Sequence, residues 1–185
     1  QEVPKRKLDN STTERHQGVI AYVAPYAYFE LDEVVNNLEI NKDTTLLILD
    51  HIEDPHNLGA IIRTAEASGV KAIIIPKRRA AVVSQTAVKA SAGAIEHMPV
   101  IRVSNLTDAI KKLKEKGFWI AGTTLAERSE DYTKIAKDVP LAIVIGNEGE
   151  GMSKVVTNEC DFLYHLPMLG KIQSLNASVA AGIIM

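Results

Sequence analysis

"TLLILDHIEDPHNLGAIIRTAEASGVKAIIIP", residues 45–76, places two short apolar runs on either side of a segment with helical periodicity. The runs "TLLILD" (45–50) and "KAIIIP" (71–76) are continuous rather than alternating, which suits parallel strands covered on both faces. Between them Leu58, Ile61, Ile62 and Ala65 recur at helical spacing, with Asn57 as the expected N-cap and Gly69 as the expected stop. Strand, helix and strand in this order make a crossover unit.

The pattern continues outward. "MPVIRV" (98–103), "FWIAGTTL" (118–125) and "LAIVIG" (141–146) are further short apolar runs. "NLTDAIKKLKEKG" (105–117) carries one stripe of Leu106, Ala109, Ile110 and Leu113, closed by Gly117. The expected fold is α/β, an open, mostly parallel sheet flanked by helices. Ligands of such sheets bind beyond the carboxyl ends of the strands, so the loops there are the place to look for chemistry.

Composition narrows the classes. With 185 residues, 46% hydrophobic and 24% charged, the chain can bury one full core. Residues 1–16 are polar and read as a linker, leaving 17–185 as the folded domain. No run approaches the roughly 18 apolar residues of a membrane span, and the start lacks the apolar core of a signal peptide, so a cytoplasmic protein is expected. Cys160 is the only cysteine, and nothing beside it marks a nucleophile; a structural thiol is expected.

A net charge of −2 argues against a generic nucleic-acid binder. Cations nevertheless cluster locally. Lys5, Arg6 and Lys7 lie in the leading tail, and Lys111, Lys112, Lys114 and Lys116 suit a solvated helix face. Lys77, Arg78 and Arg79 are different, because three successive cations repel one another and favour an anionic partner.

Three loops hold more than structural content. In the first, Arg63 sits on an otherwise apolar helix. It can lie back over the first turn toward Asn57, because Gly59, four residues earlier, has no side chain; the alternative is a solvated arginine paired with Glu66. Asp50, His51, Glu53, Asp54 and His56 crowd the same stretch, but without a second ligand cluster no metal is expected. The second loop, "IGNEGEGMSK" (145–154), is a near miss to a phosphate loop, with Met152 where the lysine would stand; its glycines let a ligand approach the backbone, with Glu148 in the middle. The third, "LPMLGKIQSLNASVAAGIIM" (166–185), reads from Leu175 on as a helix apolar on every side, hence buried, with Ser174, Asn176 and Ser178 at its start. Capping accounts for one of these three.

"NLGAIIRTAEASG", "IGNEGEGMSK" and "LPMLGKIQSLNASVAAG", in this order and spacing, resemble the three motifs of the SpoU/TrmH class of the SPOUT superfamily, RNA ribose 2′-O-methyltransferases that use S-adenosylmethionine. "PKRRA", "VKASAGAIEHMPV" and "ERHQGVIAYVAP" are most similar to the branch that methylates a guanosine of large-subunit (23S) ribosomal RNA, in which a small RNA-recognition domain precedes a linker. The resemblance implies a C-terminal deep trefoil knot, a homodimer and no metal; the apolar pattern of the last helix reaches Met185 with no stop signal, so a helix that is longer in the natural protein, or disorder beyond this point, is expected. It implies that Gly146, Leu166 and Leu175 hold the adenosine part of the cofactor through their backbones, helped by Thr123, Asn147, Met168 and Ala177. It assigns the catalytic set to Asn57, Arg63, Glu148, Ser174 and Asn176, with Arg63 meeting RNA phosphate; Lys77, Arg78 and Arg79 would add RNA contacts. Gln173 departs from relatives, which often have a second serine there. A transfer RNA ribose methyltransferase of the same class and a non-catalytic RNA- or ribosome-binding module remain as alternatives.

Overall fold

The computed structural model describes residues 2–12, 16–22 and 24–185, so part of the expected linker, at 1 and 13–15, lies outside the described residues. The five apolar runs form β1 (Thr45–Asp50), β2 (Ile73–Pro76), β3 (Val100–Val103), β4 (Trp119–Thr123) and β6 (Leu141–Gly146). Two further strands have no such run to announce them, the two-residue β5 (Glu130–Asp131) and β7 (Phe162–His165). All are parallel, in the order β3-β2-β1-β6-β4-β7-β5.

That order positions the site. The chain steps outward from β1 to β3, then returns to the other side of β1, where β6 later fills the gap between β1 and β4. The reversal opens a crevice at the carboxyl ends of β1, β6, β4 and β7. β1 and β6 pair along their whole length, from Thr45 opposite Leu141 to Asp50 opposite Gly146.

Seven α-helices are present among the described residues: α1 (Lys5–Asp9), α2 (Leu31–Asn36), α3 (Pro55–Ala67), α4 (Gln85–Ala90), α5 (Leu106–Glu115), α6 (Lys154–Glu159) and α7 (Ala177–Ile184). Successive residues of a strand face opposite sides, and β1 shows it: Leu47 and Leu49 join the core under α3, α4 and α7, whereas Leu46 and Ile48 join the one under α2, α5 and α6. Both faces are therefore covered, as the continuous apolar runs require.

Three expectations need correction. Asn57 does not cap α3: Pro55 starts the helix, and the Asp54 side chain accepts from the His56 N–H at 2.8 Å. Proline is pre-set for the first helical position, so this signal wins over the one two residues later. Gly59 does not make room for Arg63; a Cβ there would lie 2.4 Å from the Ala87 carbonyl oxygen, because α4 presses on that face. Finally, α7 begins at Ala177 and is not buried all round. Ala177, Ala181 and Ile184 are buried, while Val179 and Ile183 are 50% and 44% exposed, because α7 packs chiefly on α3 and β6. Among the described residues no helix is long and apolar enough to cross a membrane.

Candidate functional site

Beyond Gly146 the chain makes a tight turn. The Asn147 N–H donates to the Gly151 carbonyl at 3.1 Å and the Gly151 N–H to the Asn147 carbonyl at 2.9 Å. The Asn147 side-chain oxygen accepts from the N–H groups of Gly149 and Glu150. These internal bonds occupy amides that a phosphate loop would offer to its ligand, which is the physical content of the near miss. Gly146 has to be bare, since a Cβ would come within 2.4 Å of the Gly151 carbonyl carbon and the Met152 nitrogen.

The end of β1 staples this turn at both sides. Asn147 Nδ2 donates to the His51 carbonyl at 3.1 Å. The buried Asp50 carboxylate accepts from the Ser153 N–H at 2.8 Å and from His51 Nδ1 at 2.8 Å. His51 itself adopts a left-handed backbone, φ 62°.

Glu148, carried at the middle of the turn, is where three distant segments meet. Its Oε1 accepts from Asn57 Nδ2 at 2.6 Å and from the Ala177 N–H at 3.1 Å. Asn57 Oδ1 in turn accepts from Asn176 Nδ2 at 2.9 Å. Asn176 caps α7, its Oδ1 accepting from the N–H groups of Ser178 and Val179 and from the Ser178 hydroxyl. Buried polar groups need such partners, and here α3, the β6 turn and α7 supply them to one another. Ser178 is thus satisfied through the cap.

A cavity of about 340 Å³ opens beside this network. Each residue expected to hold the cofactor borders it: Thr123, Gly146 and Asn147 at the ends of β4 and β6, Leu166 and Met168 after β7, and Leu175 and Ala177 at the start of α7. Glu148 and Ser174 also border it, whereas Asn57 is joined to it through Glu148 and the Asn176 side chain through Asn57. Arg63 does not line it. That side chain is exposed and, among the described residues, makes no hydrogen bond or ion pair, so the expected alternative with Glu66 is not formed. Lys77, Arg78 and Arg79 are exposed beyond β2, away from the cavity.

His165 is a wall residue the sequence does not disclose. Its Nδ1 lies 3.0 Å from the Ser129 hydroxyl, which donates to the Ala126 carbonyl. It is hidden because β7, which ends on it, carries no continuous apolar run.

The lining tests what the cavity can hold. It contains Glu148 and Glu150 but no Lys or Arg, together with Ile145, Leu166, Leu175 and Ile184. Such a site disfavours a polyphosphate and suits a ligand with an apolar body and a positive centre. Among the described residues, 167–175 make no backbone–backbone hydrogen bonds, so their carbonyls and, Pro167 apart, their N–H groups remain open to the donor and acceptor edge of a purine. These residues fit S-adenosylmethionine. No group of three or more His, Cys, Asp or Glu that could hold a metal occurs among the described residues. Cys160 packs behind β4, and burial, reinforced by the neighbouring Asp161 charge, pushes its thiol up to about 12. It is an inert structural thiol.

Residues 44–185 match the SpoU rRNA Methylase family, and the chain belongs to that family. A Staphylococcus saprophyticus protein provisionally named as a TrmH family tRNA/rRNA methyltransferase is 54% identical over 186 residues, covering 100% of this chain and 74% of that protein. A Staphylococcus aureus protein of the same provisional name is 53% identical, covering 100% and 75%. Among solved structures, an AdoMet-bound rRNA methyltransferase from Sinorhizobium meliloti superposes with a TM-score of 0.77 at 33% identity, over 85% of this chain and 59% of that one. The SpoU methyltransferase AviRb from Streptomyces viridochromogenes, in complex with AdoMet, gives 0.75 at 29% identity, over 85% and 62%. The chain thus spans about three quarters of those curated relatives and about three fifths of those solved chains.

Proposed function

We propose that this member of the SpoU family is an S-adenosylmethionine-dependent RNA ribose 2′-O-methyltransferase acting on a guanosine of large-subunit (23S) ribosomal RNA. The observation that carries the reading is the joining of Asn57, Glu148 and Asn176 at the rim of a cavity without cations. Likeness to AdoMet-bound relatives supports the cofactor. The cofactor supplies a methyl group activated on a sulfonium, which an alcohol oxygen can accept.

The chain's own residues then divide the work. The backbones of Gly146, Leu166 and Leu175 would hold the adenosine, with Thr123, Asn147, Met168 and Ala177 around it. Glu148, Asn57 and Asn176 fix α3 and α7 against the turn, so that Ser174 and the ribose are presented in one geometry; a misplacement of about 1 Å can cost roughly 100-fold in rate. Arg63, without a partner among the described residues, holds the phosphate beside the target ribose and stabilises negative charge developing on the attacking oxygen. A guanidinium keeps its proton at neutral pH, so the side chain is a poor proton acceptor.

The further parts of the reading follow from the same surface. Leu169, Ile172 and Val179 are 99%, 75% and 50% exposed beside the cavity, an apolar area that a second copy of the chain would cover in a homodimer. The return of the chain from β7 to pack α7 on α3 supports a trefoil knot closing around the site. Residues 1–16 would link to an RNA-recognition domain, and the enzyme would work in the cytoplasm. A transfer RNA substrate is the second reading, because the curated relatives' names carry both RNAs.

Calorimetry with S-adenosylhomocysteine tests the reading first, with NAD and ATP as controls. Binding near one site per chain with silent controls is expected, followed by tritiated methyl transfer to 23S rRNA in preference to tRNA. Equal transfer to tRNA would move the substrate, and absence of cofactor binding would leave a non-catalytic RNA-binding module.

A further inference from the structure

Lys77, Arg78 and Arg79 follow β2 directly and are exposed. Among the described residues none of them has an ion-pair partner, although the chain holds 23 acidic residues against 21 basic ones. Lysines elsewhere do find carboxylates, as Lys112 does with Asp32 at 2.7 Å and Lys114 with Asp161 at 2.8 Å. Three adjacent cations without counter-charge mark this loop.

The loop is also held rigidly. At its start the Lys77 N–H donates to the Val103 carbonyl, and the Lys77 carbonyl accepts from Arg102 Nη2 at 3.1 Å. At its end the Val83 N–H donates to the Tyr28 hydroxyl at 2.8 Å. The Arg102 guanidinium lies 5.1 Å from the centre of the Tyr28 ring, so one stacked pair braces both ends. Among the described residues Arg102 has no carboxylate partner either, and its buried Nε has no acceptor; the side chain keeps its place through Tyr28 and the Lys77 carbonyl. Arg79 is held at φ 53°, a backbone that costs a non-glycine residue about 1 kcal/mol or more and persists only where its surroundings impose it.

The middle of the loop points to what it serves. The Ala81 N–H donates to the Ile52 carbonyl at 2.7 Å, and the preceding carbonyl, of His51, accepts from Asn147. The basic loop and the glycine turn of the site are therefore fastened to successive residues at the end of β1. Their parent strands, β2 and β6, flank β1 and lie roughly 10 Å apart. One extended polyanion can touch both.

Resting on the RNA-methylating reading, we infer that loop 77–83 is a pre-formed clamp for the phosphates of the RNA strand flanking the methylated nucleotide, with Tyr28 and Arg102 as its positioning residues. Lys77, Arg78 and Arg79 take the phosphates, and the brace removes the entropy cost of ordering them on binding.

The test uses the full chain and a fluorescein-labelled single-stranded RNA, with affinity read by anisotropy across a series of KCl concentrations. Replacing Lys77, Arg78 and Arg79 together by Ala should make the slope of log affinity against log salt shallower by about 2, at roughly 0.7 for each phosphate no longer neutralised. Tyr28→Phe keeps the ring and removes only the Val83 bond; it should bind RNA roughly three- to tenfold more weakly, with S-adenosylhomocysteine affinity unchanged and the melting temperature lower by no more than a few degrees, as the loss of one part-buried hydrogen bond requires. Arg102→Lys should not match wild-type binding, because it keeps the charge and gives up the guanidinium that lies over the Tyr28 ring and bonds the Lys77 carbonyl. An unchanged salt slope in the triple variant, or full RNA affinity in Tyr28→Phe, overturns the clamp. So does a triple variant that loses binding to phosphatidylserine vesicles while keeping its RNA affinity. Failure of the wild-type chain to bind S-adenosylhomocysteine would instead strike the enzymatic reading, since the salt slope is measured without cofactor.

Discussion

Helices α3 and α5 cover opposite faces of the same sheet, each on a stripe of Leu, Ile and Ala, and each ends before a glycine with a left-handed backbone, Gly69 at φ 81° and Gly117 at φ 91°. Their polar residues part company. Those of α5 follow local rules: Asn105 caps the first turn, and Lys111, Lys112 and Lys114 pair with Glu159, Asp32 and Asp161. On α3, Asn57 is buried, Gly59 is pressed against α4, and Arg63 stands exposed without a partner among the described residues. Such local exceptions collect where a fold has been bent to a function; Asn57 joins the network at the cavity through Glu148, and Arg63 is the residue proposed to meet the RNA.

The comparison breaks most readily at Arg63. Arg63→Ala should lower methyl transfer to RNA roughly 100- to 1000-fold, the usual effect of removing a donor to a developing oxyanion. It should leave the melting temperature unchanged, because the exposed side chain makes no hydrogen bond or ion pair among the described residues. Near-full turnover in that variant, measured with saturating cofactor, would return Arg63 to the class of ordinary surface cations. Gly59→Ala comes next. Alanine favours a helix by about 1 kcal/mol over glycine, but the new methyl would lie 2.4 Å from a backbone oxygen and 2.5 Å from the Ala90 Cβ. Overpacking of this kind costs about 1–3 kcal/mol, so urea denaturation should show net destabilisation. A stabilised variant would mean that α4 slides away at little cost.

Asn57→Ala sharpens the contrast from inside the network. It strips Glu148 Oε1 of one donor and Asn176 Nδ2 of its acceptor. Leaving such groups unsatisfied costs about 1–3 kcal/mol. S-adenosylhomocysteine affinity should fall with stability, because the same bonds hold α7 against the turn. Reduced stability with unchanged affinity would make the network a structural strut only.

Much of this architecture is visible in the chain before folding. The runs that become β1, β2, β4 and β6 hold no charged residue in their interiors and β3 is broken only by Arg102, so these five strands can be read from residue type. β5 and β7 cannot, because a two-residue strand and "FLYH" acquire their identity from the neighbours they pair with. Within the site, Glu148 stands 91 residues from Asn57, and Asn176 lies 119 from it. No local period carries that contact; the family resemblance names those residues, and geometry alone joins them. Asn57 misleads as a cap for the opposite reason, that a good local signal is present but the Asp54–Pro55 pair supplies a better one. Of α7, the residues show an apolar circumference, which does not say how much of it a neighbour covers.

The smallest effect belongs to α5, and it completes the contrast. Lys114→Met removes a surface ion pair with Asp161 while keeping the alkyl stem, and the opposite end of Asp161 still accepts from the Ile120 N–H at 2.9 Å. Surface pairs of this kind are worth about 0–1 kcal/mol, so stability should move by less than about 0.5 kcal/mol and methyl transfer not at all. A finer readout exists in Cys160, whose thiol is raised to about 12 by burial while the Lys114 charge pulls it down. Deleting that charge disfavours the thiolate further, so reaction with a disulfide reagent at alkaline pH should slow. The sign for folding is the same: the unfolded thiol releases its proton near 9.0 and the folded one near 12, so stability from this group is complete below the lower value and is lost as pH rises between the two. If Lys114→Met instead disturbed catalysis as Arg63→Ala is expected to, the two helices would not differ in kind, and an unpaired cation on an apolar helix would lose its value as a sign of function.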